Sequence, residues 1–246
     1  MALPKIAVPT FNITIGEKEF TLRPFLISEE KLLLLANSTE EVRDSVEATK
    51  QVVKNCLISV DGDRNYDINK LFVYELEYLI LQLRKASVGN TVDIIVNPSK
   101  QNCDKCNKER TCKVNLDDVK LDIPKIDNKF LLTDNIGICL HYPYVKDILT
   151  YSAINGSNLQ TVLSAVWKCV SYIYEVTAEG EQITYAKDVT EEEGIAFLES
   201  LNANQFKLID NFYNNLPQLT YTLKLHCNAC GHDEEYVLKG LSDFFV

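Results

Sequence analysis

Apolar and polar residues alternate in two short runs near the start, Phe11-Asn-Ile-Thr-Ile15 and Phe20-Thr-Leu22, with Gly16-Glu-Lys-Glu19 between them. A period of two puts one set of side chains on one face of an extended chain, so the pair predicts a hairpin. Pro24 closes the second strand, and the period then lengthens. Ser28 stands where an N-cap is wanted, Glu29 and Glu30 suit a first turn, and the leucine run Leu32 to Leu35 follows. Ser38 and Glu41 form the pattern of a capping box for a longer helix. One face of that helix carries Val42, Val46, Val53, Cys56, Leu57 and Val60. Asp61-Gly-Asp63-Arg-Asn65 is a turn. A calcium loop would need Gly at its sixth position and Glu at its twelfth, where Tyr66 and Phe72 stand. From Leu71 to Ala86 the spacing predicts a helix buried along Leu76, Leu79, Ile80 and Leu83, ended by Ser87-Val-Gly89.

Val92, Ile94 and Val96 alternate as a strand, and Val114, Leu116 and Val119 extend the same sheet. Two more strands are expected at Phe130 to Leu132 and Ile136 to Leu140. Ser157 with Gln160 is a second capping box, and Leu159, Val162, Leu163, Val166, Trp167, Val170 and Ile173 line one side of the helix it opens. Thr190 with Glu193 caps the next helix, and Asn202 starts another that runs to Pro217. Leu219, Tyr221, Leu223 and Leu225 then alternate with Thr220, Thr222 and Lys224 as a strand. The chain closes on Gly240-Leu-Ser-Asp-Phe244-Phe245, an aromatic end suited to docking.

The expected fold class is therefore α+β. Residues 1–27 form an N-terminal hairpin and 28–89 a helical segment. Residues 90–142 and 217–246 form one β module that is discontinuous in sequence, and 143–216 form a second helical segment.

Two cysteine pairs give that β module its chemistry. Cys103-Asp-Lys-Cys106 and Cys227-Asn-Ala-Cys230 each sit between strand-like runs. Two intervening residues let a tight turn aim both sulfurs at one ion, and two such turns complete a tetrahedral four-sulfur site. The position after each second cysteine favours a left-handed backbone, which Gly231 and Asn107 supply. The expected ligands are Cys103, Cys106, Cys227 and Cys230, holding a structural zinc in a zinc-ribbon-like site. Local disulfides or metal-free thiols are the alternatives. Cys112 aligns with Tyr236 of the second copy and is a strand residue, as Cys56 is a core residue. His232 and His226 flank the second knuckle as weaker candidates. Cys139 and His141 share a strand face, where a packed thiol and a rim imidazole explain them.

Composition narrows the function classes. The 246 residues include 25 Lys or Arg against 35 Asp or Glu, a net charge of −10 that disfavours a phosphate-backbone partner. Eight cysteines without a secretory leader fit synthesis in a reducing cytoplasm, and no apolar run is long enough to span a membrane. The motifs of nucleophile elbows, P-loops, dinucleotide sites and zinc proteases are missing, so no enzyme is expected. Lys105, Lys108, Arg110 and Lys113 cluster at the first knuckle, as a nucleic-acid adaptor would need, but Asp233, Glu234 and Glu235 surround the second.

The order of several stretches carries a resemblance. They are Arg23-Pro-Phe25 with Glu29-Glu-Lys31 and the leucine run, then Leu83-Arg-Lys-Ala-Ser-Val-Gly89 before the first knuckle. Leu132-Thr-Asp-Asn-Ile-Gly137, Tyr142-Pro143 and Ala203-Asn-Gln-Phe206 through Leu216-Pro217 follow. The last are Cys227 to Cys230 and Gly240-Leu-Ser-Asp-Phe244-Phe245. Together they resemble the baseplate protein family of T-even-type contractile-tailed bacteriophages, which includes a baseplate hub subunit and a hub assembly factor. Asn107 departs from the Gly common there. The resemblance implies a non-enzymatic role in building or forming the tail baseplate hub, and the expected function is a structural hub component of the virion, assembled in the host cytoplasm. Its expected partners are other baseplate and hub proteins, with a homo-oligomer possible in the assembly and neither nucleic acid nor membrane. A chaperone-like assembly factor that leaves the particle is the alternative.

Overall fold

Gly16, at φ +60°, turns the chain between β1 (Phe11–Ile15) and β2 (Lys18–Leu22), which pair antiparallel as the alternation predicts. The computed structural model that shows this describes residues 6–38, 41–94, 103, 105–107, 112–152 and 158–240. Helix α1 (Ile27–Asn37) begins one residue before the expected cap. Glu29, not Ser28, satisfies its first turn, accepting the Leu26 backbone N–H at 2.7 Å while Arg23 Nη2 donates to it at 3.0 Å. Helix α2 (Val42–Cys56) has Glu41 as its N-cap and buries Val52, Val53 and Cys56. It stops at Cys56, because Leu57 to Val60 serve a second purpose. They form β3 (Leu57–Val60), laid on β2 with Leu22 opposite Leu57 and Phe20 opposite Val60. Asp61 (φ 49°) and Gly62 (φ 82°) make the turn that follows.

Helix α3 (Val73–Ser87) buries Leu76, Leu79, Ile80 and Leu83, the stripe its spacing predicts. Next come β4 (Thr91–Ile94) and β5 (Cys112–Asn115), an antiparallel pair, and the short β6 (Lys120–Asp122). Val96 and residues 97–102 lie outside the described residues.

From Ile123 to Pro217 the chain builds a second compact unit, joined by residues 69–73. There Val145 donates its N–H to Leu71, Val73 donates to Pro143, and the Phe72 ring stacks on Tyr144. Strands β7 (Lys129–Leu131) and β8 (Ile136–Leu140) precede α4 (Ile148–Ser152) and α5 (Leu159–Trp167). Asn158, rather than the predicted Ser157 (outside the described residues), caps α5 through its side chain.

Val170 and Ile173 do not continue α5. They belong to β9 (Val170–Thr177), which turns at Gly180 into β10 (Gly180–Tyr185). The run Val170-Ser-Tyr-Ile-Tyr-Glu-Val-Thr177 is rich in β-branched and aromatic residues, and that preference overrides a helical spacing shared by only two of them. These strands take up β8 and β7, giving the antiparallel order β10-β9-β8-β7. Residues 129–140 therefore belong to the sheet of β9, β8 pairing with β9 and β7 with β8, and not to the strands that carry the knuckles.

Helices α6 (Glu191–Glu199) and α7 (Ala203–Asn214) open on the boxes Thr190–Glu193 and Asn202–Gln205. They pack with α5 over one sheet face. Ile138, Leu140, Leu163, Val166, Trp167, Ile195, Leu198, Ile209 and Phe212 form that core.

The chain then returns to the first unit as β11 (Gln218–His226) and β12 (Asp233–Lys239), with β11 between β12 and β6. Leu219, Leu223 and Leu225 point inward to join Leu81 of α3 and Val114, Leu116 and Val119. Residues 241–246, which hold most of the aromatic end expected to dock, lie outside the described residues.

Candidate metal centre

Both cysteine pairs lie at hairpin tips. Ile94 opposite Cys112 is the last pair of β4 and β5, so the first knuckle falls in the loop beyond it. His226 opposite Asp233 is the last pair of β11 and β12, and the second knuckle fills the loop between them. Val114 of one hairpin and Leu223, Leu225 and Leu238 of the other share one apolar core, which fixes the tips against each other.

Each loop is the same turn. The Asn107 N–H donates to the Cys103 carbonyl at 2.8 Å, and the Gly231 N–H to the Cys227 carbonyl at 2.7 Å. Asn107 and Gly231 take φ of 56° and 69°, the left-handed conformation read from their residue types. The Cys227 N–H donates to the His232 carbonyl at 2.9 Å and shuts the second loop.

The sulfurs cross-pair. Cys103 Sγ lies 3.6 Å from Cys230 Sγ, and Cys106 Sγ lies 3.5 Å from Cys227 Sγ. All four lie within 4.8 Å of one another, and none is joined in a disulfide. Tetrahedral Zn–S bonds of about 2.3 Å would set sulfurs about 3.8 Å apart, so the donor set has the size of such a site. With four sulfur donors no coordination position is left for water or substrate, which suits a structural ion rather than a catalytic one.

Local electrostatics distinguish the two cysteines of the second turn. Cys103 and Cys227 are buried and accept backbone N–H bonds. The Ala229 and Cys230 amides lower the Cys227 thiol to about 6, and the Lys105 amide leads the lowering at Cys103. Cys230 also gains from the His232 amide, but desolvation of its sulfur and the three neighbouring sulfurs win and push it up to about 12, although the residue is exposed. Four thiolates cannot gather without a compensating cation, and a divalent ion would supply that compensation.

The other candidates stay apart from the cluster. His226 Nδ1 lies 2.6 Å from Asp233 Oδ1 across the hairpin, and His232 enters the turn through its backbone. Cys112 is a strand residue of β5. Cys139 is buried on β8, while His141 Nδ1 faces the Tyr142 carbonyl at 2.8 Å, and burial lowers its pKa. Among the described residues the four cysteines are the one group of three or more metal-capable side chains. The amides of Lys105, Cys106, Ala229 and Cys230, which hold the sulfurs, carry no side-chain signature. The cysteine spacing was the only sign of them.

An open hollow between α5 and α6 is lined by Ser164, Glu191, Glu192, Ile195 and Glu199, with the Ser164 hydroxyl bound to Glu191. Glu191 and Glu192 lie in the first turn of α6, where the helix dipole explains them.

A family model described as T4 bacteriophage base plate protein matches residues 7–246. The chain is also 25% identical over 235 residues to baseplate hub assembly protein gp26 of Enterobacteria phage T4, with 96% of each chain covered. No solved structure matches the chain.

Proposed function

This chain belongs to the T4 bacteriophage base plate protein family, and we propose that it serves there as a structural subunit of the baseplate hub. Membership carries a structural role in phage baseplate assembly and contact with other baseplate proteins. Within that role we assign the chain to the finished tail, with no catalytic step, after assembly in the host cytoplasm. The observation that supports a scaffold is the four-cysteine cluster, whose donors leave no open coordination position. Cys103, Cys106, Cys227 and Cys230 would hold one zinc ion in a zinc-ribbon-like arrangement. The ion would fix the tips of two hairpins that share a core, and so the shape offered to neighbouring proteins.

A second reading has its own support. The T4 relative is named a hub assembly protein, which fits a factor that promotes hub formation and then departs. A phage with an amber codon in this gene, grown in permissive and non-permissive hosts, separates the two. A hub subunit is found by mass spectrometry in purified permissive-host virions, and its loss stops baseplate formation. An assembly factor is required for baseplates yet missing from virions. Normal tails in the non-permissive host would overturn both readings.

A further inference from the structure

Strand β10 forms one edge of the four-stranded sheet, and all six of its residues are exposed. Its register with β9 runs from Gly180 to Tyr185 without a bulge, and it contains no proline. Its one charged residue, Glu181, is drawn to Lys129 at 2.7 Å. Sheet edges are ordinarily blunted by charges, prolines, bulges or short length, because an open row of N–H and C=O groups recruits another strand. The opposite edge, β7, has only three residues. The six of β10 carry none of the usual blocks except one carboxylate.

The side chains around this edge have a direction. Glu179 and Glu181 mark its start, and Lys187 follows its end, with Nζ 5.4 Å from the centre of the Tyr185 ring. Between them Ile183 and Tyr185 sit on one face with Val176 of β9, and all three are more than two-fifths exposed. A strand acidic at one end and basic at the other complements an antiparallel copy of itself. At a net charge of −10, two chains repel unless such a strip draws them together locally.

We propose that β10 is a self-association edge, pairing antiparallel with β10 of a second copy about a two-fold axis at Ile183. Each Ile183 then packs on Ile183 of the second copy, Glu181 lies opposite Tyr185 of the second copy, and Glu179 lies opposite its Lys187. The two sheets join into one, and the interface is isologous, as a two-fold requires. This inference rests on the strand alone and stands whether the chain is a hub subunit or an assembly factor.

Sedimentation equilibrium on the purified full chain, up to about 100 µM, tests it in the range of weak interfaces. Wild type is expected to approach twice the monomer mass. Ile183→Lys sets like charges opposite each other, and Lys187→Glu sets acid against acid. Each should weaken the dimer by at least about tenfold. The double variant Glu179→Lys/Lys187→Glu reverses both ends and should return to within about threefold of wild type. Far-ultraviolet circular dichroism and Trp167 fluorescence confirm that each variant is folded. A wild type monomeric throughout, a dimer indifferent to either single change, or failure of the double reversal to restore it overturns the proposal. Association only with a foreign strand, and not with itself, overturns it too.

Discussion

Cys103 Sγ lies 3.6 Å from Cys230 Sγ, although 127 residues separate them along the chain. Each knuckle's first cysteine faces the other's second, since Cys106 and Cys227 stand 3.5 Å apart in the same way. An ion bound by all four would close a loop that contains the whole run from Ile123 to Pro217. Closing so long a loop would make a bound ion stabilise the fold beyond its local contacts.

Cys106→Ser or Cys230→Ser should therefore lower zinc affinity by more than about 100-fold, beyond what losing a hydrogen-bond partner of a ligand costs. The damage should be localised. Val114, Leu219, Leu223 and Leu238 share the core under the site, whereas Ile138, Leu163, Ile209 and Phe212 belong to the other unit's core. Amide hydrogen exchange should accelerate in 112–122 and 218–240 and change little in 129–140 and 191–214.

Gly231→Ala isolates the cost of the left-handed backbone. A Cβ at this glycine meets nothing within 4 Å, so only φ +69° resists it. Thermal unfolding of the zinc-loaded protein should show a loss of about 1–2 kcal/mol.

Gly194→Ala tests a different constraint. A Cβ there would lie 2.0 Å from Trp167 Cε2, so either α6 or the indole must move. Overpacking of this kind costs about 1–3 kcal/mol, and Trp167 is the chain's one tryptophan. Its emission should shift in the folded variant, with a lower midpoint in denaturant.

What the sequence disclosed followed how local the signal was. The β1–β2 hairpin, the α3 stripe, the Thr190 cap and the inward Leu219, Leu223 and Leu225 each depend on a few neighbouring residues, and each was legible. The knuckle turns were legible for the same reason, since Cys spacing and the Asn107 and Gly231 positions are local. The β9–β10 hairpin was not, because the helical spacing of Leu163 and Val166 runs on through Val170 and only pairing with β8 decides the matter. Leu57 to Val60 continued the α2 stripe until β2 claimed them. The cross-pairing of sulfurs is tertiary and left no trace in spacing.

Glu29 gives the fold a pH dependence of defined sign. Burial alone would raise its carboxyl, but the Arg23 guanidinium and the Leu26 N–H outweigh it and hold the pKa below the ordinary 4.5. A depressed folded value means stabilisation that is present above the unfolded pKa and lost as pH falls through the folded one. The gap in unfolding free energy between wild type and Glu29→Gln should be widest near neutral pH and close below about pH 4. Arg23→Met, which leaves the buried carboxylate unpaired, should cost about 2–3 kcal/mol at pH 7.

The central claim, one zinc held jointly by both knuckles, is tested most directly by elemental analysis of the protein purified without added metal. The prediction is one zinc per chain in the wild type, lost from Cys103→Ser and from Cys227→Ser alike. A wild type without stoichiometric metal, or zinc retained when either cysteine is replaced, would contradict it.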